Sequence, residues 1–220
     1  MKLIKDGDEV SVQVWPSYTD VMMNVTLILL FYLFAQLIIS SQTSAVMLEI
    51  RFRQTKLRQT VEGAIPESLR KDVTITEDGS LQKYSFADRV LFDSGRATLR
   101  ESGIEILGAI GRVIKEQVGS FTKIQIEGHT DDQPIRTGFP SNWELSSARA
   151  TTVVRFLQDA SGLDPGLLSA TGYSQYHPVD NNTTDASRSR NRRIEMVVVC
   201  SVQDVLANAK SKEPKDKNNP

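Results

Sequence analysis

The chain has few of the residues on which metal centres and nucleophilic enzymes depend. It has one cysteine, Cys200, and two histidines, His129 and His177, among its 220 residues. A structural zinc site usually takes four cysteine and histidine ligands, so we expect no metal site. A single cysteine cannot form a disulfide within the chain. Nucleophile and acid/base candidates are equally scarce, so we expect neither an enzyme nor a bound cofactor.

An excess of charge of one sign is also missing. The 26 lysines and arginines are offset by 27 aspartates and glutamates. A nucleic-acid-binding domain would show a basic surplus on one domain or face. We therefore expect no nucleic-acid binding by this chain.

A long apolar run lies near the N-terminus. Residues 21–39 contain no charged residue, and the uncharged stretch continues to Leu48. A membrane-spanning helix needs about 20 mostly apolar residues. We therefore predict a retained transmembrane helix over residues 16–42, preceded by an N-terminal tail over residues 1–15. The alternatives, a buried helix of a soluble domain or a cleaved signal peptide, agree less well with a run that is apolar on all sides and exceeds the usual signal-peptide core.

Three polar residues lie at helical spacing at the start of this run. Ser17, Asp20 and Asn24 are three and four residues apart, which places them on one helix face. Because lipid disfavours Asp and Asn, we expect this face to contact partner helices or a hydrated path. Asp20 then has two interpretations: a carboxylate that binds and releases an ion, or an interfacial residue that stabilises the helix N-terminus.

The rest of the chain has the pattern of a mixed domain. Residues 43–84 predict a helical linker that breaks near Pro66 and a short hairpin around Gly79. From Val90 onward the order of elements is β-α-β-α-β-β, which predicts an α/β sandwich over residues 85–200. A polar loop at 181–193 separates the last two strands. The charged residues 201–220 predict a disordered tail.

One loop and one helix face of this domain carry candidate binding residues. Asp131 follows a predicted strand, and Asn142, Leu145 and Arg149 form one stripe of the next predicted helix. A carboxylate and a guanidinium facing each other across a cleft would bind the ammonium and carboxylate groups of a zwitterion. An ordinary surface salt bridge is the other interpretation of the same spacing.

Several motifs of this region resemble a known family. FDSGRATL, IEGHTDDQPI, NWELSSARATTVV, LLSATGYSQYHPV and SRNRRIEM occur in the order typical of the peptidoglycan-binding OmpA/MotB C-terminal domain. The resemblance implies an OmpA-like domain over residues 85–200 that binds the diaminopimelate of a peptidoglycan stem peptide. The residues that match the family's binding positions are Asp131, Arg149, Thr130, Asn142, Leu145, Phe92, Asp93 and Arg193.

The N-terminal part is similar to the B subunit of ion-driven stators. That resemblance implies a homodimer inside a ring of multi-span MotA-like A subunits, with H⁺ or Na⁺ translocated at Asp20, Asn24 and Ser17. It also implies a bacterial inner-membrane protein with the N-terminus in the cytoplasm and the C-terminal domain in the periplasm. The basic residues flanking the span favour the reverse orientation, but long domains are translocated largely regardless of that count.

The residues around Asp20 depart from the flagellar pattern. Residues 17–24, SYTDVMMN, lack the alanine-rich stretch of flagellar B subunits. They are more similar to the B subunit of the Zorya anti-phage defence systems, which implies a role in defence. A flagellar stator subunit and a passive tether between membrane and peptidoglycan remain alternatives. Whether residues 43–62 form a plug is also left open.

Overall fold

The computed structural model describes the backbone of residues 15–117, 121–135 and 138–200, with the side chains of 15–17 and 42–46 outside the description. The chain divides into two compact units, residues 1–45 and 46–220. The expected disordered tail lies outside the described residues, as does all of the expected cytoplasmic tail except residue 15.

The first unit contains the apolar run. Helix α1 is Trp15–Ala64, and its segment Tyr18–Ser41 is long and apolar enough to cross a membrane, with a mean hydropathy of 2.2. None of its most apolar window is buried in the structure, unlike the core helix of a soluble domain. The hydroxyl of Thr26 donates to the carbonyl of Met22 at 2.8 Å. The helix thereby satisfies this polar group without help from water.

The second unit is built on one five-stranded sheet. Its order is β1-β2-β5-β3-β4, with β3 and β4 parallel and the other neighbours antiparallel. The strands are β1 Val73–Asp78, β2 Leu81–Ala87, β3 Phe121–His129, β4 Leu168–Gly172 and β5 Arg193–Cys200. The further helices are α2 Asp88–Leu91, α3 Glu101–Glu116, α4 Asn142–Asp159 and α5 Asp185–Asn191, with 3-10 turns at Glu67–Asp72 and Pro165–Leu167.

Apolar side chains from four helices and the sheet form one core. Helix α3 contributes Ile106, Ile110 and Ile114, whose spacing of four residues makes one apolar stripe. The buried residues that join this stripe from α1, α2, α4 and strands β2, β3 and β5 include Leu57, Val61, Leu91, Tyr84, Phe86, Ile124, Ile126, Ala150, Val153, Leu157, Ile194, Met196 and Val198.

The second half of α1 belongs to this domain, which corrects the prediction of a linker. Leu57 and Val61 are buried in the domain core. The amide of Gln54 donates to the carbonyls of Gly79 and Leu81 at 3.1 and 3.4 Å, and Gln82 donates back to the Gln54 carbonyl at 3.1 Å. The domain therefore starts well before residue 85. The plug hypothesis for residues 43–62 stays a prediction.

The predicted fold class, an apolar helix followed by a mixed α/β domain, is confirmed, although individual elements differ from the prediction. The hairpin around Gly79 exists, but its second strand, β2, pairs with β5 and lies inside the sheet. The strand predicted at Val90 is wrong, because residues 88–91 form the helical turn α2. The predicted loop at 181–193 contains α5, which begins at a capping box between Thr184 and Ser187.

Two glycines bring α4 close to the sheet. Gly128 of β3 and Gly172 of β4 are paired in register. A Cβ at Gly128 would lie 2.2 Å from the Ser146 carbonyl oxygen, and a Cβ at Gly172 would lie 2.2 Å from Ser147 Oγ. Only glycine permits this close approach. The contact fixes the face of α4 that carries Asn142, Leu145 and Arg149 beside the end of β3.

Candidate functional site

A cleft of about 630 Å³ lies beside α2, the end of β3 and the start of α4. Charged and apolar side chains line it together. Its lining includes four arginines and two aspartates, Arg89, Arg100, Arg149, Arg192, Asp88 and Asp131. Phe92, Pro134, Ile135 and Leu145 add apolar surface. This mixture suits a small ligand that carries more negative than positive charge and has an aliphatic part.

The loop after β3 holds Asp131 in a defined position. The backbone N–H of Gln133 donates to Asp131 Oδ1 at 3.2 Å, and the hydroxyl of Thr130 donates to the Asp131 carbonyl at 3.0 Å. Asp131 is 6% exposed and forms an ion pair with Arg192. The carboxylate is therefore fixed, buried and already paired with a cation.

Asn142 ties this loop to α4. Its amide nitrogen lies within hydrogen-bonding distance of three acceptors, the carbonyls of Asp131 and Gln133 and the side-chain oxygen of Gln175, at 3.3, 2.9 and 3.1 Å. Ser141 caps the helix by accepting from the Trp143 N–H at 3.1 Å. The first turn of α4 therefore determines the shape of the loop that carries Asp131.

Arg149 is buried beneath the cleft on the same helix. Its Nη1 lies 2.9 Å from Asp88 Oδ1, and its Nε donates to the Arg96 carbonyl at 2.9 Å. Its Nη2 donates to the Asp93 carbonyl at 3.4 Å. The guanidinium carbon also lies 5.2 Å from the centre of the Phe92 ring, within cation–π range. These contacts hold the cation rigidly against the segment between α2 and α3.

Asp88 is the counter-ion of Arg149 and has an unusual environment. Burial raises the pKa of its carboxyl to about 6, and the nearby cations Arg149 and Arg192 offset only part of that effect. Burial also lowers the pKa of the Arg149 guanidinium. The charge state of this pair therefore depends on pH near neutrality.

The structure places six of the eight predicted peptidoglycan-site residues in the cleft lining. These are Phe92, Thr130, Asp131, Asn142, Leu145 and Arg149. Asp93 contributes its backbone carbonyl, while its side chain is largely exposed and lies 3.6 Å from Arg100. Arg193 lies outside the lining and donates to Glu195 at 2.6 Å. The binding roles of all eight residues stay predictions.

The ion-pair partners of Arg149 and Asp131, which are Asp88 and Arg192, were not predicted from the sequence. Asp88 lies between the predicted hairpin and the strand predicted at Val90, so nothing indicated a buried carboxylate at the start of a helical turn. Arg192 stands beside Arg193, and two adjacent arginines at a strand start look alike in the sequence. Only the register of β5, in which Arg193 is opposite His129, decides which arginine lines the cleft.

One cluster on the sheet has the donor types of a cation site. Ligand atoms of Glu127, His129 and Glu195 lie within 4.8 Å of one another. Lys83 and Arg193 already bond the Glu195 carboxylate at 2.7 and 2.6 Å. Because two cations neutralise the carboxylate at the centre of the cluster, we assign it a structural role joining β2, β3 and β5.

The three polar residues of the apolar run lie in α1. Asp20 and Asn24 are exposed on the helix surface. Ser17 is in the helix, but its side chain lies outside the described ones. Their proposed part in ion translocation stays a prediction.

The geometry of the second unit agrees with known proteins. Residues 91–192 match the OmpA family. Motility protein B of Bacillus subtilis (strain 168) is 36% identical over 129 residues, which cover 58% of this chain and 48% of that protein. The chain spans about half the length of the curated relatives that it matches.

Solved structures share the fold. A MotB-like protein from Desulfovibrio vulgaris superimposes with a TM-score of 0.64 and 26% identity, covering 71% of this chain and 94% of that chain. The cell wall anchor of the T6SS from Pseudomonas aeruginosa gives a TM-score of 0.58 and 29% identity, covering 64% of this chain and 97% of that chain.

Proposed function

We propose that the chain, whose residues 91–192 match the OmpA family, is a peptidoglycan-anchored B subunit of an ion-driven stator. The observation that carries the anchoring step is the cleft, with Asp131 and Arg149 buried at its wall. In this proposal Asp131 binds the ammonium of diaminopimelate and Arg149 binds its carboxylate. The wall residues Thr130, Asn142 and Leu145 shape the pocket.

The charge of the cleft supports a stem peptide as the ligand. Four arginines against two aspartates give the lining a positive balance. A stem peptide carries several carboxylates and a single free ammonium at the diamino acid. The two aspartates and the four arginines therefore match the signs of the ligand's groups.

The single apolar helix supports the membrane part of the proposal. A single-pass inner-membrane protein with its N-terminus in the cytoplasm would place the OmpA-family domain in the periplasm, where peptidoglycan lies. In a homodimer surrounded by a ring of multi-span A subunits, Asp20 would bind H⁺ or Na⁺ in transit. Anchoring to the wall would convert ion flow into torque, because an unanchored subunit would turn freely.

We propose two alternative cellular roles for such a motor. The sequence around Asp20 favours anti-phage defence of the Zorya type. The similarity to Motility protein B favours a flagellar stator. A passive tether is the second candidate function, and the likeness to a cell wall anchor favours it.

Sedimentation with isolated peptidoglycan sacculi tests the anchoring step. The detergent-solubilised full chain is incubated with sacculi that contain diaminopimelate, and the bound fraction is measured. Asp131→Asn should weaken binding about 10- to 100-fold, the range for loss of a charge-assisted hydrogen bond. Asp132→Asn is the matched control, because that neighbouring carboxylate pairs with Arg188 and lies outside the cleft lining. Equal binding by Asp131→Asn and the unmodified chain would overturn the site.

A further inference from the structure

Two large aromatic side chains are stacked on the surface next to the cleft. The ring centres of Trp143 and Tyr176 are 5.4 Å apart, with 29° between the ring planes. Trp143 is 46% exposed and Tyr176 is 62% exposed. A single exposed apolar residue needs no explanation, but a stacked exposed pair forms a flat apolar surface of the kind that marks binding sites. We call this pair the aromatic platform.

The backbone on both sides of the aromatic platform is fixed. Trp143 lies in the first turn of α4, and its carbonyl accepts from Ser146 Oγ at 3.0 Å. The same Ser146 hydroxyl accepts from the N–H of Ser174 at 3.1 Å, which ties α4 to the turn that carries Tyr176. The backbone N–H of Tyr176 donates to the Tyr173 carbonyl at 3.3 Å. A preformed surface of this kind loses little conformational entropy when a ligand binds.

The aromatic platform is joined to the cleft lining through neighbouring residues. Asn142, which lines the cleft, directly precedes Trp143, and Gln175 directly precedes Tyr176. The side chains of Asn142 and Gln175 are joined by a hydrogen bond of 3.1 Å. The same two segments thus supply a hydrogen-bonded polar pair, of which Asn142 lines the cleft, and the aromatic pair that follows it in sequence.

We propose that the aromatic platform binds a sugar ring of the glycan strand whose stem peptide occupies the cleft. This inference rests on the proposed function. A pyranose ring presents C–H groups on its face and hydroxyls around its edge. An aromatic face attracts such C–H groups and gains buried apolar area, while the edge of the sugar stays hydrated.

The proposal requires one ligand to make both contacts at once. The diamino acid is the third residue from the sugar, and three extended residues span about 10 Å. Linking two contacts in one ligand makes the second contact intramolecular, so a weak sugar contact still adds to the overall affinity. The cleft would then select the peptide, and the aromatic platform would favour peptide that is still attached to glycan.

Calorimetry with two soluble ligands tests the proposal. One ligand is the free diaminopimelate-containing tripeptide with its N-terminus acylated by lactate, so that it carries the same single ammonium as the sugar-linked form. The other is the same tripeptide attached to its disaccharide. The full chain in detergent should bind the disaccharide-tripeptide about 3- to 10-fold more tightly, the size of one aromatic stacking contact. Trp143→Ala and Tyr176→Ala should remove this preference and leave affinity for the free tripeptide unchanged. Trp143→Phe should retain part of it.

The controls separate this proposal from the proposed function. Val179→Ala removes another exposed apolar side chain, 60% exposed, and should keep the full preference. Equal affinity of the unmodified chain for both ligands would overturn the aromatic platform as a sugar site and leave the peptide site intact. An equal loss for both ligands in Trp143→Ala, or a change of oligomeric mass without a change in preference, would also overturn it. Failure to bind either ligand would refute the proposed function itself.

Discussion

Arg149 Nη1 lies 2.9 Å from Asp88 Oδ1, so the buried cation of the cleft has a counter-ion before any ligand enters. Asp131 is paired in the same way with Arg192. Each charge proposed to bind the ligand is therefore held by a partner within the protein. A ligand that uses these charges must share or displace those partners, which makes Asp88 and Arg192 determinants of affinity.

Ligand binding should strengthen as the pH falls through about 6. Asp88, with a pKa of about 6, becomes neutral there. Arg149 then attracts a ligand carboxylate without competition, while ligand carboxylates of ordinary pKa stay ionised. We expect sacculus binding to rise about 3- to 10-fold between pH 7.5 and pH 5, the effect of a coupling near one pKa unit.

Asp88→Asn should bind sacculi at pH 7.5 as tightly as the unmodified chain does at pH 5, with little further pH dependence. The amide keeps the shape of the carboxyl group but has no charge. Asp159→Asn, at the exposed end of α4, is the matched control and should keep the original pH profile. An unaltered pH profile in Asp88→Asn would show that another group titrates.

The Asp88 carboxyl should give the free energy of unfolding a pH dependence opposite to that given by most aspartates. The ordinary pKa is 3.8 and the folded value is about 6, so between these values the folded state binds more protons than the unfolded state. The free energy of unfolding contributed by Asp88 is therefore greatest below pH 4 and falls as the pH rises through 6. Urea unfolding of the unmodified chain and Asp88→Asn across this range should show that the difference between them changes with pH. A constant difference would contradict the raised pKa.

The residues on the α4 side of the cleft were predictable from the sequence. The helical period placed Asn142, Leu145 and Arg149 on one face, and the end of a strand placed Asp131 in the adjacent loop. The opposite wall was not predictable in the same way. Asp88 begins the helical turn α2, which replaces the strand predicted at Val90, and that replacement depends on tertiary packing rather than on local propensity.

Substitution of Arg193 should change stability, whereas substitution of Arg192 should change ligand affinity. Arg193 is 6% exposed and bonds the buried Glu195 carboxylate, so Arg193→Ala leaves that charge with Lys83 alone. We expect a lower midpoint of thermal unfolding for this variant. Arg192 is a partly exposed partner of Asp131, so Arg192→Gln should change stability little. It should tighten binding of the free tripeptide by freeing the Asp131 carboxylate for the ligand's ammonium. Weaker binding by Arg192→Gln would instead show that Arg192 contacts the ligand directly.

The second half of α1 should contribute to the stability of the domain. Leu57 is 2% exposed in the core, so Leu57→Ala removes buried apolar volume and should lower the free energy of unfolding by about 2–5 kcal/mol. Phe52→Ala, at a side chain that is 66% exposed, is the control and should have little effect. Chemical unfolding followed by near-ultraviolet circular dichroism measures both. Equal stability of the two variants would restore the interpretation of this segment as a linker outside the domain.

Substitution of Asp20 distinguishes the stator hypothesis from the passive-tether hypothesis. An asparagine at this position has nearly the same shape but cannot carry a negative charge or a titrating proton. If ions cross the membrane at this carboxylate, Asp20→Asn should abolish H⁺ or Na⁺ flux in cells that co-express the multi-span partner, while expression and sacculus binding stay unchanged. Glu49→Gln is the control, because it makes the same change from carboxylate to amide in the same helix. Glu49 forms a surface ion pair with Arg53 that contributes little to stability. The control should leave flux intact. If Asp20→Asn conducts ions as well as the unmodified chain, or if the unmodified chain conducts none, the stator proposal fails and the tether is the function that remains.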